Sequence, residues 1–246
     1  MSESSNNRKR GIIGFFDVLG YKQIQINNQI CGAISVVEEI RNVIEKCQSV
    51  VGRLSEISEK VFGEHVVFSD SILTFAPFDK DENENAQAEM FLSFCAGIVD
   101  DLFWAGLPVR GALAYGDLYV EKTKSGIYLA GAPIVESHEA ANELDLSGCV
   151  VAESAEKFLA MQQILDDSDR QIGFIKYHVP IKNKDPKKMF MLNHRAFHKH
   201  EPEVTNEIIL SRFAAFNKPI NDDARRKSAN TLEFFEACKP DACQPS

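Results

Sequence analysis

Asp17 and Asp70 each stand inside an apolar stretch, Phe16-Asp17-Val18-Leu19-Gly20-Tyr21 and Val66-Val67-Phe68-Ser69-Asp70-Ser71-Ile72-Leu73, 53 positions apart. Each falls where a strand pattern runs into a turn. A carboxylate among buried strand residues is costly unless something compensates its charge. Two acceptor-only carboxylates converging on one spot make a hard-oxygen site suited to Mg²⁺ or Mn²⁺, with the Val18 carbonyl as a candidate further ligand. Two ions about 3.5–4 Å apart on such a site activate an attacking oxygen and hold a triphosphate. The plainer alternative has Asp70 serving a β-turn and Asp17 capping the following helix.

The elements that must position this pair follow from the periodicities. Residues 11–19 read as a compact apolar strand, and a helical pattern runs from about Gln29 to Lys60 through Ile34, Val37, Ile40, Ile44, Val51 and Leu54. Strands at about 61–68 and 71–77 flank Ser69-Asp70 as a hairpin. A second helix covers about Ala86–Ala105 and stops at Gly106 and Pro108. Val109–Tyr115 and Leu118–Lys122 read as strands around a turn at Gly116-Asp117, and Gly126–Ala130 as a short strand. A helix at Pro133–Leu144 follows, with strands at Cys149–Ala152, Ile172–Ile181 and Met189–Leu192, and two polar helices at about 202–216 and 221–238 close the chain. The order β-α-β-β-α-β is a split βαβ arrangement. It predicts an α+β domain with a ferredoxin-like, antiparallel-rich sheet and helices packed on one face. In that topology the first strand and the β-hairpin are neighbours, which brings Asp17 beside the tip that carries Asp70. The expected organisation is a flexible N-terminus over 1–10, a catalytic domain over 11–200 and a C-terminal helical extension and tail over 201–246.

Composition excludes several classes. The 246-residue chain is 44% hydrophobic and 26% charged, as in ordinary globular proteins. No apolar run approaches the roughly 18 residues of a membrane span, and Met1–Arg10 is polar with no apolar stretch behind it, so a cytoplasmic protein without a secretory signal or membrane association is expected. The net charge of −9 argues against a nucleic-acid surface. It leaves a nucleotide substrate open, because local cations and metal ions reverse the sign inside one pocket. The six cysteines form no C-x-x-C pair and read as structural thiols. Lys182–Lys188 reads as a solvated hairpin loop, Arg225-Arg226-Lys227 as a solvated helix face with phosphate contact as the lesser alternative, and His194, His198 and His200 as a loop group rather than a metal site.

Phe16-Asp17-Val18-Leu19-Gly20-Tyr21 is similar to the Phe-Asp-Ile-x-Gly-Phe of class III nucleotidyl cyclases, and Asp70 matches their second metal aspartate. Val109-Arg110-Gly111-Ala112-Leu113-Ala114-Tyr115-Gly116 resembles their strand ending in a Gly turn, and Ala130-Gly131 their Trp-Gly turn. The resemblance spans about 11–155. The Phe-Ser-Asp-Ser hairpin and the Leu-Pro-Val-Arg-Gly-Ala strand are most like the Pycsar pyrimidine cyclases, anti-phage enzymes that convert CTP or UTP to the cyclic 3′,5′-monophosphate. The resemblance implies a Mg²⁺- or Mn²⁺-dependent homodimer with sites at the interface. It implies two ions on Asp17, Val18 and Asp70, nucleotide contacts at Val18, Gly20, Val66 and Tyr128, and a separate effector that senses the product.

Departures from the purine-cyclase pattern bear on substrate. Val66 stands where adenylate cyclases carry a base-reading Lys, and Tyr128 where they carry the base-reading Asp. A Val neither donates to nor accepts from a purine edge, and a Tyr shrinks the pocket, so both fit a smaller base; an exposed packing role for Tyr128 is the alternative. The transition-state Asn and Arg of the family align with Val135 and Glu139, which cannot stabilise a developing phosphate charge. Arg110 is the best replacement, suited to forked contact with phosphate, against the alternative of a surface strand arginine. Asn142 is a weaker candidate. Three other readings stay open: a purine cyclase, a catalytically silent cyclase-like domain that binds nucleotide, and a metal-free interaction module.

Overall fold

The computed structural model describes residues 7–54, 64–78, 84–161, 163–165, 173–193 and 204–238. Eight strands form one sheet in the order β2-β3-β1-β4-β6-β8-β7, with β5 paired to β4. They are β1 (Arg8–Val18), β2 (Glu64–Phe68), β3 (Ser71–Phe78), β4 (Val109–Thr123), β5 (Gly126–Ala130), β6 (Gly148–Val151), β7 (Gly173–Val179) and β8 (Lys187–Asn193). The helices are α1 (Tyr21–Leu54), α2 (Glu84–Trp104), α3 (Ala132–Glu143), α4 (Glu153–Met161), α5 (Asn206–Ala214) and α6 (Asp222–Ala237). The β2-β3-β1-β4 half is the expected ferredoxin-like arrangement; β4 and β6 run parallel and the other pairs are antiparallel.

Side-chain alternation along β1 separates two cores. Ile12, Phe16 and Val18 face α1, α2 and α4 in the larger one, beside Ile40, Phe94, Val99 and Phe158. Phe15 faces the other way, into a cluster with Ala112, Val150, Ala141 of α3, Phe213 of α5 and Phe234 and Phe235 of α6. Helices therefore cover parts of both faces, a correction to the one-face expectation. The reason is Phe234-Phe235: these two rings, at most 1% exposed, give the otherwise polar α6 an apolar edge to bury.

Four further differences from the sequence expectation have local causes. Arg8–Arg10, expected in a flexible N-terminus, are strand, because β1 pairs with β4 as far as Tyr119 and Asp117 accepts from Arg8 and Arg10. Gly116-Asp117 makes no turn, since both residues are registered against β1 and the two expected strands are one. The helix at α1 starts eight residues early, at Tyr21, and is interrupted at Gln29 (φ 54°, ψ −147°) where the expected helix began. Helix α4 was not anticipated; its Ala155, Phe158 and Leu159 fill the larger core. Among the described residues no helix is long and apolar enough to cross a membrane.

Candidate active site

The end of β1 joins two loops. Val18 N donates to Asp70 O at 3.0 Å, and Leu19 N donates to Pro108 O at 2.9 Å. Asp17 is in register with Ser71 of β3 on one side and Arg110 of β4 on the other. Phe68, Ser71, Asp17 and Arg110 consequently share a row across one face of the sheet, and Val66, Leu73, Phe15 and Ala112 share the next. The turn that presents Asp70 places Ser69 at φ 60°, a left-handed conformation that costs a side-chain-bearing residue about 1–2 kcal/mol. Gly20, at φ 79°, makes the sharp entry from β1 into α1 without that cost.

Electrostatics follow from this register. Arg110 donates to a single carboxylate oxygen, Asp17 Oδ2, from Nε (2.9 Å) and Nη2 (2.8 Å). It also donates from Nη2 to Asn142 Oδ1 (2.6 Å) and from Nη1 to the Asn142 carbonyl (3.2 Å). The two charged side chains are only 16% and 17% exposed. Asp17 Oδ1 receives no hydrogen bond among the described residues. Burial, and next the negative charge of Asp17, push the Asp70 carboxyl above its ordinary range, against its own backbone, the Ser69 hydroxyl and Arg110. One guanidinium thus faces two carboxylates in a half-buried site, and one negative charge is left over.

That remainder decides what the site can hold. Asp17 Oδ1 and the Asp70 carboxylate are hard oxygen donors at one strand end, beside the Val18 backbone, which fits Mg²⁺ or Mn²⁺ with water and phosphate completing the shell. No group of three or more His, Cys, Asp or Glu gathers among the described residues, so the donor set stays at two carboxylates.

The remaining candidates divide. Arg110 is at the site, and Asn142, the weaker candidate, belongs to it through its two contacts with Arg110. His138 is near Asn142 (Nε2–Nδ2 2.8 Å) and packs edge-on against Phe15, a positioning contact. Val135 and Glu139 lie on the exposed side of α3, outside the Arg110 network. Val66 is on the Asp17 face, one row back. Tyr128 is not brought to the aspartates. The β4–β5 arm curls so that Leu118, Val120 and Leu129 pack with Ile13, Leu73 and Phe75, and Lys122 pairs with Glu64. Tyr128, registered with Glu121, alternates to the outer side of that arm, 51% exposed, with its hydroxyl 3.2 Å from that of Ser125.

Two groups were missed or undervalued. Phe68 is 79% exposed in the same row as Asp17; its place in Phe-Ser-Asp-Ser carried no signal, since a strand Phe reads as core. Lys182, expected in a solvated loop, donates to the Asn142 carbonyl at 2.7 Å while Lys184 pairs with Glu143, so the β7–β8 loop is tied to the C-terminal end of α3. Arg226 of the basic run is on a solvated face, its side chain 54% exposed, and is also bound to Asp145 and Asp223. Cys47, Cys95 and Cys149 are buried thiols, the first pushed up to about 12 chiefly by burial. His194, His198 and His200 lie outside the described residues.

No protein-family model matches this chain, and no curated protein matches it in sequence. Solved structures do match in shape. The adenylyl cyclase CyaB from P. aeruginosa is similar at a TM-score of 0.52 and 11% identity, over 75% of this chain and 94% of that one. The catalytic core of a rhodopsin-guanylyl cyclase with converted specificity, in complex with ATPalphaS, is similar at 0.53 and 10%, over 75% and 96%. A bacterial light-regulated adenylyl cyclase is similar at 0.51 and 13%, over 76% of this chain and 52% of that one. Identity this low speaks for architecture alone: the fold of this chain is that of class III nucleotidyl cyclase catalytic domains.

Proposed function

We propose that this chain is a nucleotidyl cyclase that closes a nucleoside triphosphate to its cyclic 3′,5′-monophosphate and releases pyrophosphate, with a pyrimidine, CTP or UTP, as the preferred base. The observation that carries the reading is the pair Asp17 and Asp70 at one strand end, with a single arginine bonded to Asp17 and one Asp17 carboxylate oxygen left without a partner among the described residues. Asp17, the Val18 carbonyl and Asp70 would hold the divalent ions. When bound, these ions supply a lowered pKa for the ribose 3′-hydroxyl and charge neutralisation on the triphosphate. The residues of the chain supply positioning. Arg110, held by Asn142 and Asp17, keeps a permanent positive charge beside the α-phosphate and one uncommitted Nη1 N–H to offer it as charge grows there. Val66, an apolar wall one row from Asp17, favours a base that needs no polar partner at that edge.

Tyr128 enters a base pocket only from a second copy, because its side chain is on the outer side of the β4–β5 arm. The proposal therefore includes a homodimer whose interface completes each site; the exposed Phe68, Tyr128 and Val135 supply apolar surface for it. A cytoplasmic anti-phage second-messenger role, with a separate effector for the product, belongs to the same reading and rests on the resemblance of the motifs.

Two observations favour competing readings. The neighbours in fold are adenylyl and guanylyl cyclases by name, which favours a purine. Val135 and Glu139 on the exposed side of α3 favour a silent nucleotide-binding domain. Incubation with each of the four nucleoside triphosphates and Mn²⁺, with products identified by mass, separates all three. Cyclic CMP or UMP as the main product is expected. Cyclic AMP or GMP would replace the pyrimidine assignment, and nucleotide binding without any product would select the silent domain.

A further inference from the structure

The turn from Asp17 to Gly20 has a second side. Between the first turns of α1 and α6 lies a cavity of about 230 Å³, whose wall includes Gly20, Lys22, Lys218 and Lys227 but not Asp17, Asp70 or Arg110. Lys218 is the unusual member. It is 7% exposed, and its Nζ donates to two neutral carbonyls, Gly106 O at 3.1 Å and Leu19 O at 3.4 Å. Among the described residues no carboxylate pairs with it. A buried ammonium ordinarily sits against an acid. Burial here depresses Lys218 to about 8, with no compensating charge to raise it.

The rest of the wall adds positive potential. Lys22 contributes a second ammonium group, and Lys227 a third that is shared with the one carboxylate on the wall, Asp223, which Arg226 also engages. Helix α1 begins here with no acidic residue in its first turn, so the positive end of its dipole faces the cavity, whereas α6 is already capped by Asn221 and carries Asp222 and Asp223. Its volume is below the roughly 300–1,000 Å³ typical of cofactor-sized pockets, which limits a ligand to a small group. The three lysines come from two segments far apart in sequence, so only the folded chain assembles them.

We propose that this cavity is a second, non-catalytic site for a small phosphate-bearing anion, held by Lys218 with Lys22 and Lys227. The ligand supplies the negative charge that the protein withholds from Lys218. Because a Cβ added to Gly20 would meet Lys218 Cδ at 2.9 Å, the lysine packs directly on the turn that starts at Asp17. An anion on Lys218 thereby steadies that turn from behind, independently of what the aspartates bind.

The test uses the full chain, freed of metal with a chelator and titrated with inorganic phosphate and, separately, with pyrophosphate, followed by ³¹P NMR and calorimetry. Saturable binding of at least one anion is expected, and the tighter of the two identifies a single-phosphate or a diphosphate occupant. Lys218→Met should weaken it about tenfold or more, as loss of a buried charged partner does, while Asp17→Ala leaves it unchanged. Lys22→Gln, which removes an exposed charge, and Lys227→Gln, which removes one shared with Asp223, should each weaken it about threefold, and they carry the test if Lys218→Met does not fold. Absence of saturable binding, equal affinity in the lysine variants, or loss of binding in Asp17→Ala would overturn the proposal.

Discussion

Two aspartate–arginine pairs on this sheet differ in how completely the aspartate is satisfied. Asp145, just before β6, has an 8% exposed side chain; its Oδ2 accepts from Arg226 Nε (2.6 Å) and its Oδ1 from Arg226 Nη2 (3.0 Å), with Asn230 at 3.4 Å from Oδ2. Both oxygens are used, and the second carboxylate on Arg226, Asp223, has a cation of its own in Lys227. Asp17 directs both of its Arg110 hydrogen bonds to Oδ2, leaves Oδ1 without a partner, and shares its surroundings with Asp70. The first pair is complete and fastens α6 to the end of the sheet. The second is one positive charge short, and that deficit, rather than burial or the presence of an arginine, marks it as a place for a cation.

The strongest way to break this contrast is to remove the carboxylates. Asp17→Ala or Asp70→Ala should lower cyclic-nucleotide formation by about 10³-fold or more, the scale of losing a positioned electrostatic group together with the ion it binds. Activity retained in either variant would end the two-aspartate assignment. Circular dichroism should show the fold intact.

Next in size is Arg110→Met. Without metal it leaves two carboxylates facing each other, at a cost of about 3 kcal/mol, or roughly 6–12 °C in thermal midpoint for a chain of this length. Mn²⁺ should restore much of that loss. Arg226→Met should cost less, about 1 kcal/mol, because Asn230 remains and the Arg226 side chain is 54% exposed. Mn²⁺ should restore none of it. Equal metal rescue of the two variants, read by differential scanning calorimetry, would erase the distinction between the pairs.

The smallest effect is a pH slope. The Asp70 carboxyl is raised in the folded chain, chiefly by burial and then by Asp17. The folded state therefore holds that proton more tightly than the unfolded state does. Metal-free stability should fall as pH rises from the ordinary aspartate range through the raised value, and Mn²⁺ affinity should increase over the same interval as the proton leaves. Asp70→Asn should flatten the stability slope. An unchanged slope would place the raised carboxyl elsewhere.

Much of the fold was legible because periodicity is a local property. The apolar run at Ile12–Val18, the hairpin around Ser69-Asp70 and the helix before Gly106 are written in consecutive residues, and the split βαβ order then implied that Asp17 and Asp70 are neighbours. Arg110 was also legible as a candidate, through its place in a strand that had to border β1. Asn142 was undervalued because its importance lies in a contact 32 positions away. Tyr128 stands at the base-reading position only by laying Ala130-Gly131 on the Trp-Gly turn, and strand alternation in the curled arm puts it on the outer side.

What the sequence by itself determined is the inventory: two strand-end aspartates, an arginine in a neighbouring strand, a valine in the strand before Asp70, and the ferredoxin-like order that gathers them. What only the tertiary structure decided is how charge is distributed among them. Register set Arg110 directly opposite Asp17, the bend of β4 turned Tyr128 outward, and the return of α5 and α6 buried Lys218 behind Gly20 with no acid beside it. Spacing along a chain specifies which groups are present, but electrostatic energy depends on distances through space and on desolvation, and those exist only once the sheet has closed.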